Sequence, residues 1–279
     1  MAWAEYERLM LNEWQNLMTS SQRSKEDAFQ HFLEANPSMI PGAFSLPLPS
    51  GHYPFPQAVI SQPILRGLGT KVPDFLWLAS DSGTLYPVLI EIENPTKRWF
   101  TEKGYPHSDF TQARDQIASW KQWFNQSENK TLFKEMYQIP PSLKGKAFHP
   151  IYILVYGSRS ELEEKPALNS KRDLMQGQDE HFMTFDRLAP ERKAENFVCV
   201  RLTESVEGIY YQAKSVPPTF KLGPGSASEH SLIIDMDTAI SHNSLIHPKR
   251  REFLVSRLPY WKEWSKSNGL RQIDFNAYE

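Results

Sequence analysis

The sequence predicts an α/β fold: a mixed central sheet flanked by helices, with N-terminal helices before it and a C-terminal helical extension after it. Two apolar runs, F-L-W-L-A-S at 75–80 and Y-P-V-L-I-E-I at 86–92, are joined by Asp81-Ser82-Gly83, residues suited to a hairpin turn. H-P-I-Y-I-L-V-Y-G at 149–157 is apolar without alternation, as expected of a strand covered on both faces. Segments with helical spacing of apolar residues lie on either side of these runs.

In chain order, residues 2–20 place Trp3, Tyr6, Met10, Trp14 and Leu17 on one helical face, a stripe suited to the core or to a subunit contact. Ser24 is placed to cap a second helix that ends at Asn36-Pro37. On it Glu26 shares a face with Phe29 and Leu33 and is expected to point inwards, although an acid in a first turn also suits the helix dipole. Residues 37–71, rich in proline and glycine, read as a loop with one short strand. In the hairpin, alternate side chains share a face, so Glu91 and Glu93 point together and Asp74 can lie beside them. Carboxylates in so apolar a strand are costly to bury without a cation. Three oxygen donors on neighbouring strands suit Mg²⁺ or Mn²⁺.

Residues 96–107 carry Lys97, Arg98 and Lys103, a basic connection that would meet a phosphate backbone or stay solvated. Asp109 is expected to cap the next helix, with Gln112 in capping-box register. Phe110, Ala113, Ile117, Trp120 and Phe124 form its apolar stripe, flanked by Gln112 and Gln116; Arg114 and Lys121 are cations on the same helix. The polar stretch 158–165 reads as helical, and His181–Leu188, around M-T-F-D, and Phe197–Leu202 as short strands, with Asp186 capping the turn after the first. G-I-Y-Y-Q-A-K (208–214) and S-L-I-I-D-M-D-T-A (231–239) read as strands around a Pro/Gly/Ser loop at 216–228. Asp235 and Asp237 would then share a face and imitate a metal pair, without a third partner. Pro248 opens a final helix bearing Trp261 and Trp264, aromatic residues suited to a subunit interface. Its leading Lys249, Arg250 and Arg251 oppose the helix dipole, which points to an outside anion, either nucleic acid or another subunit's acidic surface. The expected division is an N-terminal helix at 1–22, a core at 23–202 and an extension packed on it at 203–279.

P-D-F at 73–75, the hairpin, and an E-x-E strand followed by Asn94-Pro95 resemble the PD-(D/E)xK nuclease superfamily, and most of all the nuclease domain of Shedu antiphage-defence proteins. F-Q-H-F-L-E-A-N-P (29–37), Q-A-R-D-Q-I-A-S-W-K-Q-W (112–123), I-Y-I-L-V-Y-G-S-R (151–159) and M-T-F-D-R-L (183–188) extend the likeness over roughly residues 24–190. The resemblance implies a restriction-endonuclease-like core that hydrolyses DNA phosphodiesters with Mg²⁺ or Mn²⁺ in phage defence. It implies Asp74 and Glu91 as metal ligands, with Glu93 where the superfamily pattern has a lysine that orients or activates water. Glu93 is then expected to bind a second ion or orient the water, and Lys97, Arg114 or Lys121 to supply the positive charge. Glu26 becomes an auxiliary acid near the metal. Gln116 is expected to reach the site, and Gln112, with Lys97, Arg98, Lys103, Arg114 and Lys121, the nucleic acid. Loss of the lysine supports a second reading, a nuclease-derived module that holds DNA or protein without cutting.

At 279 residues the chain can bury a substantial core, and its net charge of −2 gives no global basic footprint, so nucleic acid would be held by local patches. Cys199, the single cysteine, sits in an apolar strand pattern, as a buried inert thiol would in a reducing cytoplasm. The start, M-A-W-A-E-Y-E-R, has acids where a signal peptide needs bases, and no stretch approaches the ~20 apolar residues of a membrane span. A cytoplasmic protein without membrane contact is expected, assembling as a homo-oligomer. The absence of G-x-x-x-x-G-K-[ST] and of a strand-borne G-x-G-x-x-G argues against a nucleotide cofactor. One cysteine and scattered histidines argue against zinc, and G-x-S-x-G is absent. About 70 residues precede the P-D motif, fewer than in Shedu proteins with an added regulatory region. Sensing is therefore expected from oligomerisation, the C-terminal region or a partner.

Overall fold

In the computed structural model, which describes residues 1–44, 52–67, 69–163, 165–206 and 208–268, helices flank a nine-stranded mixed sheet. Helix α1 (Trp3–Thr19) buries Tyr6, Met10 and Trp14, the stripe expected from helical spacing. Helix α2 (Glu26–Ala35) buries Phe29 and Leu33 and stops before Pro37 as expected. Its N-cap is Lys25, not Ser24, and no side chain caps it. Residues 20–25 instead form a turn, with Arg23 N–H on Ser20 O and Lys25 N–H on Gln22 O, which delays the helix past Ser24.

Strand β1 (Phe55–Ser61) precedes the hairpin of β2 (Phe75–Ser80) and β3 (Thr84–Ile92), which pair antiparallel with Phe75 opposite Ile90. The Asp81 carboxylate closes the turn by accepting from Gly83 and Thr84 N–H at 2.8 and 2.6 Å. Helix α3 (Ser108–Phe124) is capped by the His107 ring, which accepts from Asp109 N–H at 3.4 Å. Asp109 lies inside the first turn, so the expected capping box with Gln112 does not form; there its charge still suits the dipole. There follow α4 (Ser127–Met136), α5 (Pro141–Lys144), β4 (Ala147–Phe148), β5 (Ile151–Val155), α6 (Ser160–Glu163), α7 (Pro166–Leu174) and β6 (Glu180–Met183). Strands β7 (Val198–Ser205) and β8 (Gly208–Ser215), helix α8 (Pro224–His230), strand β9 (Ile233–Ile234), α9 (Met236–His242) and α10 (Pro248–Asn268) complete the order.

The strand order is β6-β5-β3-β2-β1-β7-β8-β9, with β4 paired to β3. Because β3, β5 and β6 run parallel while β2 opposes both β3 and β1, one sheet edge gathers several strand ends. It carries the carboxyl ends of β3, β5, β6 and β1 and the amino end of β2. Alternation along β3 splits the core. Leu85 and Leu89 pack with Phe110, Ile117 and Trp120 on one face, and Val88 and Ile90 with Tyr6, Phe29 and Leu33 on the other. Truncating such a fully enclosed leucine as Leu89 to alanine would cost about 2–5 kcal/mol.

The C-terminal region departs from the sequence reading at several points. Only Ile233 and Ile234 of the 231–239 stretch pair as strand; Asp235 takes a left-handed backbone (φ 60°) and α9 starts at Met236. Asp237 is therefore helical, and the strand alternation that would pair it with Asp235 is absent. The 216–228 loop contains the start of α8, where Pro224 fills a first-turn position. Arg250 and Arg251 donate to Phe220 O and Ser241 O at 3.2 and 2.8 Å, so carbonyls of the same chain receive the charge at the start of α10. Trp261 is buried in the main core with Trp264 against it, which makes the pair an anchor of α10 on its own chain. Strand β7 runs through residue 202, and β8 and β9 extend the same sheet. No helix among the described residues is long and apolar enough to cross a membrane.

Candidate active site at the carboxyl edge of the sheet

Asp74 immediately precedes β2, and its Oδ2 accepts from Ile92 N–H at 2.7 Å, which ties the start of one hairpin strand to the end of the other. Glu91 and Glu93, two apart along the chain, are 6% and 8% exposed. Glu26, at the first position of α2, is exposed as a residue, yet its carboxyl end meets Glu93. These four acids, all expected from the sequence, form one interacting group. Burial, then Glu26 and Glu93, pushes Asp74 up to about 8 against the opposing pull of the Ile92 N–H. Glu91 is held well above the usual carboxylate range by burial first, then by Asp74 and Glu93. Burial and the Glu93 charge push Glu26 up to about 7. One oxygen of Glu91, Oε2, is buried without a hydrogen-bond partner.

The donor set suits a hard cation: carboxylate oxygens with more negative charge than their surroundings neutralise. Among the described residues, no group of three or more His, Cys, Asp or Glu side chains stands ready to hold a metal. Mg²⁺ does not require one. It keeps several waters and usually binds through one or two carboxylates plus substrate phosphates. Asp74 and Glu91, with the open Oε2, fit that demand.

Of the three cations considered for the missing lysine, only Lys97 is at the carboxylates, where its ammonium pairs with Glu93. Lys121 pairs instead with Glu180 at 2.6 Å and lies over the Tyr152 ring, and Arg114 lies over Phe110. Both are drawn aside because α3 presents that flank to β5 and β6. Gln112 is exposed and Gln116 half-buried on α3, and neither side chain bonds to the acids among the described residues. Lys103 is exposed, and Arg98 lies 3.9 Å from Glu161. Asp186 accepts from Arg159 N–H at 2.6 Å, so it joins two loops and does not cap its own turn.

Beside the acids lies a polar cavity of about 430 Å³ lined by Arg23, Lys97, Arg98, Ser158, Ser160 and Glu161, among others. Gly157 makes this wall possible. Its φ is +61°, and a Cβ there would stand 2.7 Å from Trp99 Nε1 and 2.8 Å from Lys97 O. Sequence reading missed Arg23, Ser158 and Ser160. It also missed an acid next to the group: Glu34, 3% exposed, accepts from Ser61, Gln30 and Lys214. The spacing Glu26–Gln30–Glu34, one residue per helical turn, was the available signal.

A family model described as Shedu protein SduA, C-terminal, matches residues 23–189, well over half of the chain. The chain belongs to the Shedu family. The match holds α2, the hairpin, α3, β5 and β6, and thus all four acids and Lys97. Shedu membership suggests antiphage defence. No curated protein matches the chain.

Proposed function

We propose that this Shedu-family chain is a divalent-metal-dependent deoxyribonuclease centred on Asp74, Glu91 and Glu93. The observation that carries the reading is a crowd of acids with too few positive partners at that point: two acids held above their usual range and one carboxyl oxygen without a partner. Perturbed acids in a cleft mark functional sites more often than chance. Asp74 and Glu91 would hold Mg²⁺ or Mn²⁺, which when bound polarises a phosphodiester and makes nearby water more acidic. Glu93 would orient the attacking water and take its proton as the water oxygen bonds to phosphorus and a P–O ester bond breaks, the leaving oxygen taking a proton from solvent. Lys97 would donate to a non-bridging phosphate oxygen, standing in for the superfamily lysine from four residues beyond Glu93. Glu26 would position Glu93. The cavity of Arg23, Lys97 and Arg98 supports the reading by offering the phosphate backbone a cationic approach. Foreign DNA would be the substrate, and assembly into a homo-oligomer part of activation.

Incubation of purified protein with plasmid DNA, with Mg²⁺, Mn²⁺ or EDTA, tests this directly. Metal-dependent cutting that Glu91→Gln abolishes is expected. A second reading, a module that grips DNA without cutting, draws on the Lys97–Glu93 pair, which neutralises the acid in place of the motif lysine. Tight DNA binding with no cutting in either metal would establish that alternative.

A further inference from the structure

Farther along the same sheet edge, past the loop that follows β5, lies a second polar cavity of about 440 Å³. Arg159, Arg172, Arg187, Asn169 and Thr184 line it together with Glu163. Its charge balance is unusual for a pocket. Arg172 is 8% exposed, lies 5.3 Å over the Trp99 ring, and donates to Asp173 at 2.9 Å. Arg159 and Arg187 enter no side-chain ion pair among the described residues, which leaves their charge unmatched beside a single lining acid. Thr184 is 2% exposed, and its hydroxyl is buried without a partner. A stripped hydroxyl donor among guanidinium groups is the chemistry of oxyanion recognition: planar forks bind phosphate oxygens in pairs, and the hydroxyl adds a single bond.

Position supplies the second argument. Thr184 directly follows β6 and Gly157 follows β5, and Phe185 N–H bonds Gly157 O at 3.2 Å, so the pocket sits at adjoining carboxyl strand ends. Strands are spaced ~4.8 Å apart, so the end of β6 lies about 10 Å along the edge from the end of β3, roughly three steps of base rise. The Arg23–Arg98–Ser158 cavity occupies the interval. Ligands of open α/β sheets gather outside carboxyl strand ends for this topological reason.

We propose that the Arg159–Arg172–Arg187 pocket binds a phosphate group, and that it receives a backbone phosphate of the strand whose scissile phosphate meets the carboxylates. The first half stands on the pocket alone; the second rests on the nuclease reading. The test uses Arg159→Gln/Arg187→Gln, both exposed positions, and Thr184→Val as an uncharged check on the same pocket. Binding of a short labelled DNA duplex is followed by anisotropy in EDTA, where cutting cannot interfere, across a salt series. The double variant should bind about tenfold more weakly at moderate salt, with a log-log salt slope smaller by about one. In parallel, inorganic phosphate should raise the unfolding midpoint of the wild type and not of the double or Thr184→Val variants. Loss of the phosphate effect with an unchanged DNA slope would overturn the strand path and assign the pocket to a small phosphorylated molecule. Unchanged behaviour in both measurements would overturn the pocket itself. Glu91→Gln, assayed on plasmid DNA with metal, keeps the two proposals apart: if it still cuts, the nuclease centre fails while the slope result stands.

Discussion

Glu34 and Glu91 are two glutamates of nearly equal burial, 3% and 6% exposed, at the same carboxyl edge of the sheet, and they are treated in opposite ways. Around Glu34, burial favours the neutral acid, but bonds from Lys214, Ser61 and Gln30 outweigh it and hold the carboxyl below its usual range. Arg201 adds a further charge at 3.9 Å. Around Glu91, burial acts with Asp74 and Glu93 in the same direction, and Oε2 meets no donor. Burial alone therefore does not decide what a carboxylate is for. Partners do, and the acid whose partners are incomplete is the one with room for a cation from outside.

The contrast is broken most severely by neutralising the incomplete acids. Asp74→Asn and Glu91→Gln should each reduce metal-dependent cutting by at least ~10³-fold, the scale of losing a group that stabilises transition-state charge. Without metal, both should also make the fold more stable. A folded pKa above the unfolded value means the charged form costs stability at neutral pH, so removing the charge relieves it. A gain on the order of 1–2 kcal/mol, a few degrees in unfolding midpoint, is expected. Mg²⁺ should raise the midpoint of the wild type alone. Variants that unfold earlier, with no metal effect on the wild type, would place these acids in an ordinary structural network.

Glu34→Gln should change stability with the opposite sign, because it strands the Lys214 ammonium and weakens the bonds from Ser61 and Gln30. A loss of about 2–3 kcal/mol in urea unfolding at pH 7 is expected. Its folded pKa is depressed, so the stabilisation is present above the unfolded value and lost as pH falls through the folded one. The variant should accordingly lose less than the wild type between pH 7 and pH 4. An equal acid loss in both proteins would mean that Lys214 and Ser61 do not hold the charged form.

A smaller effect separates the cations. Lys97→Ala should slow cutting about 10–100-fold, with Lys97→Arg recovering part of it, since the charge returns without the same reach. Lys121→Ala should change the rate less than about twofold, because its partner is Glu180 on the sheet margin, not a site acid. Equal losses at Lys97 and Lys121 would argue that both act only through the overall field.

What could be read beforehand follows from the range of each interaction. The hairpin, the face shared by Glu91 and Glu93, and the stripes of α1 and α3 are set by neighbours within a few residues, and strand or helix period exposes them. The Glu34–Lys214 pair joins positions 180 apart, through strand order that no local pattern encodes. Lys97 lay within sequence reach of Glu93, but only the loop's fold distinguished it from Lys121 and Arg114. The I-I-D-M-D stretch satisfied strand alternation on paper, yet β9 lies at the margin of the sheet and pairs over only two residues before α9 begins. The cap of α3 went to His107 because an imidazole acceptor competes at that position, a weaker signal than the adjacent aspartate.

The smallest expected effect concerns the densest basic cluster, Lys249, Arg250 and Arg251, and here the sequence overstated the case. Positive charge at a helix start opposes the dipole, and the chain supplies acceptors for the two arginines: Arg250 bonds Phe220 O and also lies over the Phe253 ring, while Arg251 bonds Ser241 O. Both side chains fasten α10 to the segments before it. Replacing Arg250 and Arg251 by glutamine should therefore cost stability, about 1 kcal/mol for each lost bond, measured by urea unfolding. DNA affinity and its salt slope should remain at wild-type values, in contrast to the Arg159→Gln/Arg187→Gln pair. A slope that falls by about two units in the α10 variant would show these arginines on phosphates and move the nucleic-acid path onto the C-terminal helices. A change in light-scattering mass at constant slope would instead make this helix start a contact between subunits.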